Sequence, residues 1–364
     1  MVGFYTLVLG SLRKMIRSPI LSYRDLRLLG TAELFGSIGF MGESIALGWV
    51  VLQLTGSPLM VGAALGARMV PTLFLGIFAG TIADMVERRY WMRVLHVALA
   101  SVASVTSLLL FTDTIQVWHL FALAFISGIF NTFYMTLRHS YVYDLVGPAH
   151  IVNGLGFVGL GTRLGGAVGS LTMGLTLAHV GWAAAYLAIA ISYCASALML
   201  SRMHSRGRLA AISTEPIWNN LIRFGKEARR NQPLITLLLM TGAVEILGFS
   251  NQALLPSIAR DVLSVGAEGL GVMGAFRSLG GVVAVLIATS LGDRVPKGLT
   301  YFIVLLVFGV ALILFGIAPN FPLVLAAIAV TSGMAALSDI YSQSMMQIVV
   351  PNELRGRSMG AWTL

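Results

Sequence analysis

Apolar residues run through this chain in long stretches that are separated by short polar turns. Each stretch has roughly the 20 residues that an α-helix needs to cross a bilayer. The pattern therefore predicts an all-α, polytopic membrane protein with ten transmembrane helices. The ten predicted spans are residues 28–54, 58–82, 94–112, 117–137, 152–178, 182–201, 234–256, 268–290, 300–318 and 322–346.

One long hydrophilic stretch divides these spans into six and four. It covers residues 202–233, carries many arginines, and is interpreted as a cytoplasmic linker. An N-terminal six-helix bundle at residues 28–201 precedes it, and an incomplete C-terminal bundle of four helices at residues 234–364 follows it. Residues 1–27 form a cytoplasmic segment with a possible interfacial helix, because its cations come after its apolar residues.

Composition excludes several classes of protein. Hydrophobic residues make up 57% of the chain and charged residues 11%, whereas soluble domains carry about 25% charged residues. The net charge of +9 does not indicate nucleic-acid binding, because the cations lie in short patches between apolar spans. The single cysteine, Cys194, leaves no disulfide framework and no cysteine-based metal site.

The distribution of cations predicts the orientation. With the N-terminus in the cytosol, 20 of the 24 Lys and Arg residues lie on the cytoplasmic side, as the positive-inside rule requires. This count includes Arg138, which directly follows the fourth predicted span. We therefore expect a multi-pass protein of the inner (plasma) membrane.

Two triplets of charged residues repeat 209 positions apart, with the same internal spacings of 16 and 4. Each begins inside the second span of its half and ends in the cytoplasmic turn after that span. Such a repeat is typical of transporters built from duplicated halves. The triplets are Arg68, Asp84 and Arg88, and Arg277, Asp293 and Lys297.

The first of these turns also carries a recognisable motif. The motif has Gly80, then Asp84 four residues later, and Arg88 with Arg89 after four more. It resembles the signature loop of the major facilitator superfamily. Residues 67–71, 253–271 and 351–357 resemble its drug:proton antiporter branch, which includes enterobactin exporters and macrolide efflux proteins. The resemblance covers nearly the whole chain.

This resemblance implies the major facilitator fold, with twelve spans in two pseudo-symmetric halves. Ten spans are predicted, so the sequence is interpreted as truncated before the last two helices. In the glycine-rich fifth span, Gly166 stands where the antiporters have proline, which weakens the inference of proton antiport. Small residues there still permit tight helix packing.

The implied activity is proton-coupled efflux of a small lipophilic or amphipathic molecule, such as a drug or siderophore, by alternating access. Uptake or lysophospholipid transport on the same fold is the alternative, and so is a non-transporting membrane sensor or scaffold. An enzyme is not expected, nor are cofactors or metals. The expected partners are a small-molecule substrate, protons and the lipid bilayer, for a monomer that does not bind nucleic acid.

Charges inside the spans are the first candidates for function, since each costs about 2.5–3.5 kcal/mol to insert. We expect a Glu–Arg pair facing the central cavity in each half: Glu43 with Arg68, and Glu245 with Arg277. A carboxylate that loses its Arg partner and gains a proton would couple proton movement to transport; a static ion bridge is the alternative. Arg163 either holds an anionic substrate or pairs with Glu43.

The motif turns are interpreted as cytoplasmic gates in which charge contacts between the halves close that side. The gate residues are Gly80, Asp84, Arg88, Arg89, Asp293, Arg294, Lys297, Arg355 and Arg357. Polar side chains within spans are candidates for the cavity wall: Asn131, Tyr134, Asn251 and Gln252. Glu33 is expected to be partly hydrated near the cytoplasmic end, and His96 to be interfacial at a span end.

Overall fold

The computed structural model describes residues 22–147, 150–205, 231–248, 250–291 and 295–349, and these residues are helical throughout apart from short turns. The fold class predicted from the sequence is thereby confirmed. Ten principal helices follow one another: α1 Arg24–Thr55, α2 Pro58–Met85, α3 Arg88–Phe111, α4 Val117–Val146, α5 Ile151–His179, α6 Trp182–Ser201, α7 Gln232–Ala243, α8 Gly266–Leu291, α9 Lys297–Ile317 and α10 Phe321–Val349.

The turn between α1 and α2 contains only two residues. Gly56 ends α1 in the left-handed region at φ +64°, and its N–H donates to Leu52 O. This conformation favours glycine, which has no Cβ to clash. Ser57 then caps α2 by accepting from Met60 N, and Pro58 occupies the first turn, where no N–H is needed. The two helices therefore form a tight hairpin.

The predicted spans correspond closely to the helices. Nine of the described helical segments are long and apolar enough to cross a membrane. The glycine-rich α5 is 29 residues long but is not among the nine, since its many glycines add little hydropathy. Helix α4 runs to Val146, nine residues past the predicted end at residue 137, and this extension carries Arg138 into the helix bundle.

The seventh span is not a regular helix. After α7, a π-helical turn covers Val244–Gly248 and a 3-10 turn covers Ser250–Leu254. One α-helical turn at Leu255–Ser257 and a second π turn at Ile258–Val262 complete it. Such irregular turns often mark functional sites, and interrupted membrane helices form the binding sites of many transporters.

The described chain divides into two compact units. The larger unit contains the described residues between 22 and 205 together with residues 253–279, and the smaller unit contains the described parts of residues 231–252 and 280–349. Most of the predicted linker at 202–233 lies outside the described residues, so the predicted domain boundaries stay a prediction.

Helices α1 and α5 contact each other backbone to backbone. A Cβ added to Gly165 would lie 2.1 Å from Leu34 O, so no other residue fits there without moving a helix. Gly161 and Gly169, one turn to either side, approach Gly30 O and Ile38 O in the same way. The spacing of four residues places all three glycines on one helix face, as expected for tightly packed membrane helices.

Candidate functional site

Glu43 and Arg68 form an ion pair in the core of the larger unit. Arg68 Nη2 lies 3.0 Å from Glu43 Oε2, with side-chain exposures of 1% and 8%. Glu43 comes from α1 and Arg68 from α2, so the hairpin brings them together. Both side chains are buried within one unit, and the expectation that they face a central cavity stays a prediction. Removing one member of a buried ion pair is costly, because the other charge is left without its counter-ion.

Neutral hydroxyl groups complete the surroundings of Glu43. Ser127 Oγ on α4 donates to Glu43 Oε2 at 2.9 Å, and Tyr193 OH on α6 donates to the same oxygen at 3.3 Å. Asn131, predicted as a cavity residue, is buried behind Ser127 and donates to Ser127 O at 3.1 Å. The carboxylate of Glu43 therefore keeps two donors that do not depend on charge.

Arg68 likewise has partners besides Glu43. Its Nη1 donates to Ser44 Oγ at 2.5 Å, and its Nη2 donates to Phe40 O at 3.2 Å. Its guanidinium also lies 4.2 Å from the centre of the Phe40 ring, within range of a cation–π interaction. Both members of the pair can thus lose the other and remain hydrogen-bonded, which suits a pair that separates during a cycle.

A small cavity of about 10 Å³ adjoins Glu43. Thr106 and Tyr186 contribute polar groups to its wall, and the remaining lining is apolar. This volume is near the minimum that holds one water molecule. The carboxyl group of Glu43 is therefore placed where a single water molecule can reach it.

A second buried cluster surrounds Glu33, ten residues before Glu43 on α1. Arg138 Nη1 donates to Glu33 Oε2 at 2.8 Å, Thr162 Oγ1 donates to the same oxygen at 3.3 Å, and Tyr134 OH donates to Glu33 Oε1. Glu33 is only 2% exposed, so the expectation of a hydrated carboxylate was wrong. Arg138 neutralises this charge inside the bundle, which explains why α4 continues past a cation.

The expected interfacial position of His96 was also wrong. This histidine is 1% exposed, not interfacial, because α3 begins at Arg88 and its first two turns precede His96. The His96 ring stacks on Tyr134 with ring centres 3.9 Å apart. Tyr134, predicted for the cavity wall, is therefore part of the buried Glu33 cluster.

Glu245 and Arg277, which were predicted to pair in the second half, belong to two different units. Glu245 is exposed on the first π turn of the smaller unit, whereas Arg277 is half-buried in the larger one. Arg163 on α5 is also half-buried and lies close enough to repel the charge of Arg277. Asn251 and Gln252 are half-buried in the 3-10 turn. Pairing of Glu245 with Arg277 stays a prediction.

The first motif turn is held within its own unit. Arg88 Nη1 lies 2.5 Å from Asp144 Oδ2 at the end of α4, and both side chains are buried. Arg89 Nη1 donates to Met203 O at 2.6 Å. Gly80 and Asp84 belong to the last turns of α2, and Lys297 begins α9. The other predicted gate residues lie outside the described residues: Asp293, Arg294, Arg355 and Arg357.

Sequence reasoning missed Ser127, Tyr193 and Asp144. Ser127 and Tyr193 lie in largely apolar stretches, and no spacing marks them as partners of Glu43. Asp144 carries a weak signal, since it is an acidic residue among the cations of the cytoplasmic side. Within the described ranges, no group of three or more His, Cys, Asp or Glu residues is arranged to hold a metal ion.

Comparison with solved structures shows the fold. A bacterial homolog of the human lysosomal transporter Spinster, in an inward-facing and unoccupied conformation, superposes with a TM-score of 0.70 at 13% identity, covering 93% of this chain and 78% of that one. The nucleoside transporter NupG superposes with a TM-score of 0.70 at 13% identity, covering 93% and 86%. The chain therefore has the fold of these transporters.

Curated relatives are transporters and exporters of small molecules. The staphyloferrin A transporter of Staphylococcus aureus is 25% identical, covering 75% of this chain and 70% of the relative. The multidrug efflux pump Tap of Mycolicibacterium fortuitum is 26% identical, covering 87% and 79%. The enterobactin exporter EntS of Escherichia coli is 24% identical, covering 90% and 77%.

The sequence model of one transporter family spans almost the entire chain. It matches residues 18–364 and describes transmembrane secretion effectors. The folds, the relatives and this match agree on a multi-pass membrane transporter and not an enzyme. The chain belongs to the transmembrane secretion effector family of the major facilitator superfamily.

Proposed function

We propose that this protein exports a small lipophilic or amphipathic molecule, a drug or a siderophore-like compound, in exchange for protons. Two of the relatives are named as a siderophore exporter and a drug efflux pump, which supports the direction and the substrate class. The observation that carries the proposal is the buried Glu43–Arg68 pair, in which each partner has alternative neutral partners.

Protonation of Glu43 is the coupling step. A proton adds to the Glu43 carboxylate, which becomes a neutral carboxyl group and loses its charge attraction to Arg68. Glu43 then stays hydrogen-bonded to Ser127, and Arg68 remains charged against Ser44 and Phe40. Weakening this contact between α1 and α2 favours one arrangement of the helices over the other, and release of the proton restores the pair.

The second half contributes a further carboxylate. Glu245 lies on an irregular turn of the seventh span, and we assign it the same proton-coupling role with Arg277 as its charge partner. Arg163 adds positive charge at the level of Arg277, while Asn251 and Gln252 supply polar contacts to the substrate. The protein acts as a monomer in the inner membrane with its N-terminus in the cytosol.

The cytoplasmic gate lies at the motif turns. Asp84, Arg88 and Arg89 of the first half work with Asp293, Arg294 and Lys297 of the second, and charge contacts between the halves favour the outward-open state. The Arg88–Asp144 ion pair supports this role because it fixes the start of α3 against the end of α4.

Transport assays test the proposal. An efflux-deficient bacterial host expressing the protein is screened for tolerance to enterobactin, staphyloferrin A, ethidium and lipophilic antibiotics, and the compound that gives resistance is then used in proteoliposomes with an imposed pH gradient. We expect gradient-driven accumulation that Glu43→Gln and Glu245→Gln abolish, while exchange of substrate without a gradient persists.

The matched control is Glu268→Gln, since this carboxylate is exposed on α8 and lies 3.6 Å from the exposed His179. Its variant is expected to accumulate substrate like the natural chain. Full gradient-driven accumulation in both Glu43→Gln and Glu245→Gln would remove the proton-coupling residues from the proposal. Absence of transport for every compound would overturn export itself.

A further inference from the structure

Two carboxylates and two glycines share one face of α1. Glu33, Gly36, Gly39 and Glu43 follow at intervals of three, three and four residues, which places them along a single stripe of the helix. With a rise of 1.5 Å per residue, the two carboxylates are about 15 Å apart along the helix axis. Both are buried, and neither reaches the other directly.

The two glycines make room for two rings between these carboxylates. A Cβ at Gly36 would lie 3.0 Å from His96 Cε1, and a Cβ at Gly39 would lie 2.9 Å from Tyr193 Cζ. The ring of His96 comes from α3 and that of Tyr193 from α6. The stripe on α1 is therefore filled by ionisable or hydroxyl-bearing side chains, where an ordinary core would have aliphatic ones.

These side chains form a continuous column from one carboxylate to the other. Tyr193 OH donates to Glu43 Oε2 at 3.3 Å, and the Tyr193 ring centre lies 5.6 Å from that of His96. His96 stacks on Tyr134 at 3.9 Å, and Tyr134 OH donates to Glu33. We call Tyr193, His96 and Tyr134 the aromatic column.

His96 is the unusual member of this column. It is 1% exposed, and its Nδ1 has no hydrogen-bond partner among the described residues. A buried polar atom without a partner costs about 1–3 kcal/mol, and such atoms in native proteins call for an explanation. A phenylalanine would fill the same space without this cost, so stability alone does not account for the imidazole.

The Glu33 end of the column reaches the surface. Arg138 binds Glu33 at 2.8 Å, and Arg138 Nη2 lies 3.2 Å from Nε2 of the exposed His139. This is the end of the larger unit at which α1 begins, the cytoplasmic end in the proposed orientation. The column thus extends from the buried Glu43 to the exposed side chain of His139.

We propose that the aromatic column is the proton path between Glu43 and the end of the bundle at which α1 begins. This inference rests on the proposed function, since it gives Glu43 a route for the proton that it carries. The charged groups that face the column are Glu33 and Glu43 on α1, Arg68 on α2 and Arg138 on α4. The formal charges of these four groups sum to zero when both carboxylates are ionised.

The transfer is balanced at each step. Neutral His96 takes a proton at one ring nitrogen from the Glu43 carboxyl group, through the hydroxyl of Tyr193. It then gives the proton on its other nitrogen, through the hydroxyl of Tyr134, to the Glu33 carboxylate, from which the proton leaves to water near His139. A change of tautomer returns His96 to its starting form. Stacked rings are not hydrogen-bonded, so every transfer waits for a ring rotation, and the path is gated, not an open leak.

The test is independent of any substrate. The full-length protein is reconstituted in liposomes of phosphatidylethanolamine and phosphatidylglycerol, and infrared spectra are recorded while the pH is stepped. The carbonyl band of protonated Glu43 is the band that Glu43→Gln removes. The amplitude of this band shows whether Glu43 takes up a proton. Its rise time shows how fast the proton travels along the path.

We expect His96→Phe and Tyr193→Phe to slow the rise of this band by about a hundredfold, the lower end of what a positioned proton-transfer group contributes, and His96→Phe to leave the final amplitude of the band in place. Tyr193→Phe removes only a hydroxyl, so it tests the path even if His96→Phe fails to fold. His179→Gln is the matched control, because this histidine is exposed at the end of α5.

Each outcome decides between the two proposals. A Glu43 band that rises at the natural rate in both path variants overturns the aromatic column while leaving proton uptake by Glu43 intact. The absence of any band that Glu43→Gln removes overturns both the column and the coupling role of Glu43. Slow rise in His179→Gln would show that the effect is not specific to the column.

Discussion

Arg88 and Asp144 form a buried ion pair in which Nη1 and Oδ2 are 2.5 Å apart and both side chains are about 5% exposed. The pair joins the first turn of α3 to the last turn of α4. Both residues belong to the same unit, so this contact is made within it. Its first consequence is for stability.

Asp144→Asn is expected to destabilise the protein by about 3–5 kcal/mol, because it breaks a buried ion pair by removing the charge of one member. Unfolding in detergent with increasing dodecyl sulfate, followed by circular dichroism, measures the loss. Glu87→Gln is the matched control, since Glu87 pairs with Arg89 at 3.5 Å and its side chain is 39% exposed. Exposed pairs contribute about 0–1 kcal/mol, so an equal loss in both variants would contradict this account.

A double-mutant cycle measures how much the interaction between Glu43 and Arg68 stabilises the protein. Arg68→Met leaves a buried carboxylate and is expected to cost about 3–5 kcal/mol. Glu43→Gln is expected to cost a similar amount, because it leaves the buried charge of Arg68 with only the neutral acceptors Ser44 and Phe40 O. The double variant is expected to lose less than the sum of the two single losses, measured by the same unfolding assay. Strictly additive losses would mean that the two side chains do not stabilise each other.

Gly165 tests the contact between α1 and α5. Gly165→Ala places a methyl group 2.1 Å from Leu34 O, so the helices must separate, and a loss of about 1–3 kcal/mol is expected from this overpacking. Gly156→Ala is the matched control on the same helix, because a Cβ there meets nothing within 4 Å. The control is expected to be neutral or stabilising; similar losses in both variants would argue against backbone contact.

Cysteine labelling tests the proposed orientation. Cys194, the chain's single cysteine, is exposed on α6, and Cys194→Ser provides a cysteine-free background. In that background, Thr114→Cys between α3 and α4 is expected to react with a membrane-impermeant maleimide added to intact cells. Ser201→Cys at the end of α6 is expected to react only after the membrane is opened. The reverse pattern would invert the topology.

The hydropathy pattern was sufficient to predict the helices, but it did not predict which residues pair with the charges inside them. Ten apolar stretches specify ten helices because bilayer thickness sets a nearly fixed length. The pattern also singled out Glu43 and Arg68, since charges within spans are rare. It ended the fourth span at the first cation, and so missed that Arg138 lies inside the bundle against Glu33.

Ser127, Tyr193 and His96 show why the rest of the site was out of reach. Each lies in a predominantly apolar helix, and each finds its partners on other helices. Which faces of α3, α4 and α6 meet α1 depends on helix rotation and packing, which sequence spacing within one helix does not specify. The proton-coupling role of Glu43 and Glu245 and the gate residues remain predictions.

The two-residue turn at Gly56 and Ser57 has a consequence for how the protein is made. Glu43 lies about 18 Å before the end of α1 and Arg68 about 15 Å after the start of α2, so the two charges reach the same depth when the hairpin is formed. They are only 25 residues apart in sequence. The hairpin can therefore bring Glu43 and Arg68 together as it enters the bilayer, whereas the other buried carboxylate of α1, Glu33, meets its partner Arg138 only once α4 has been made.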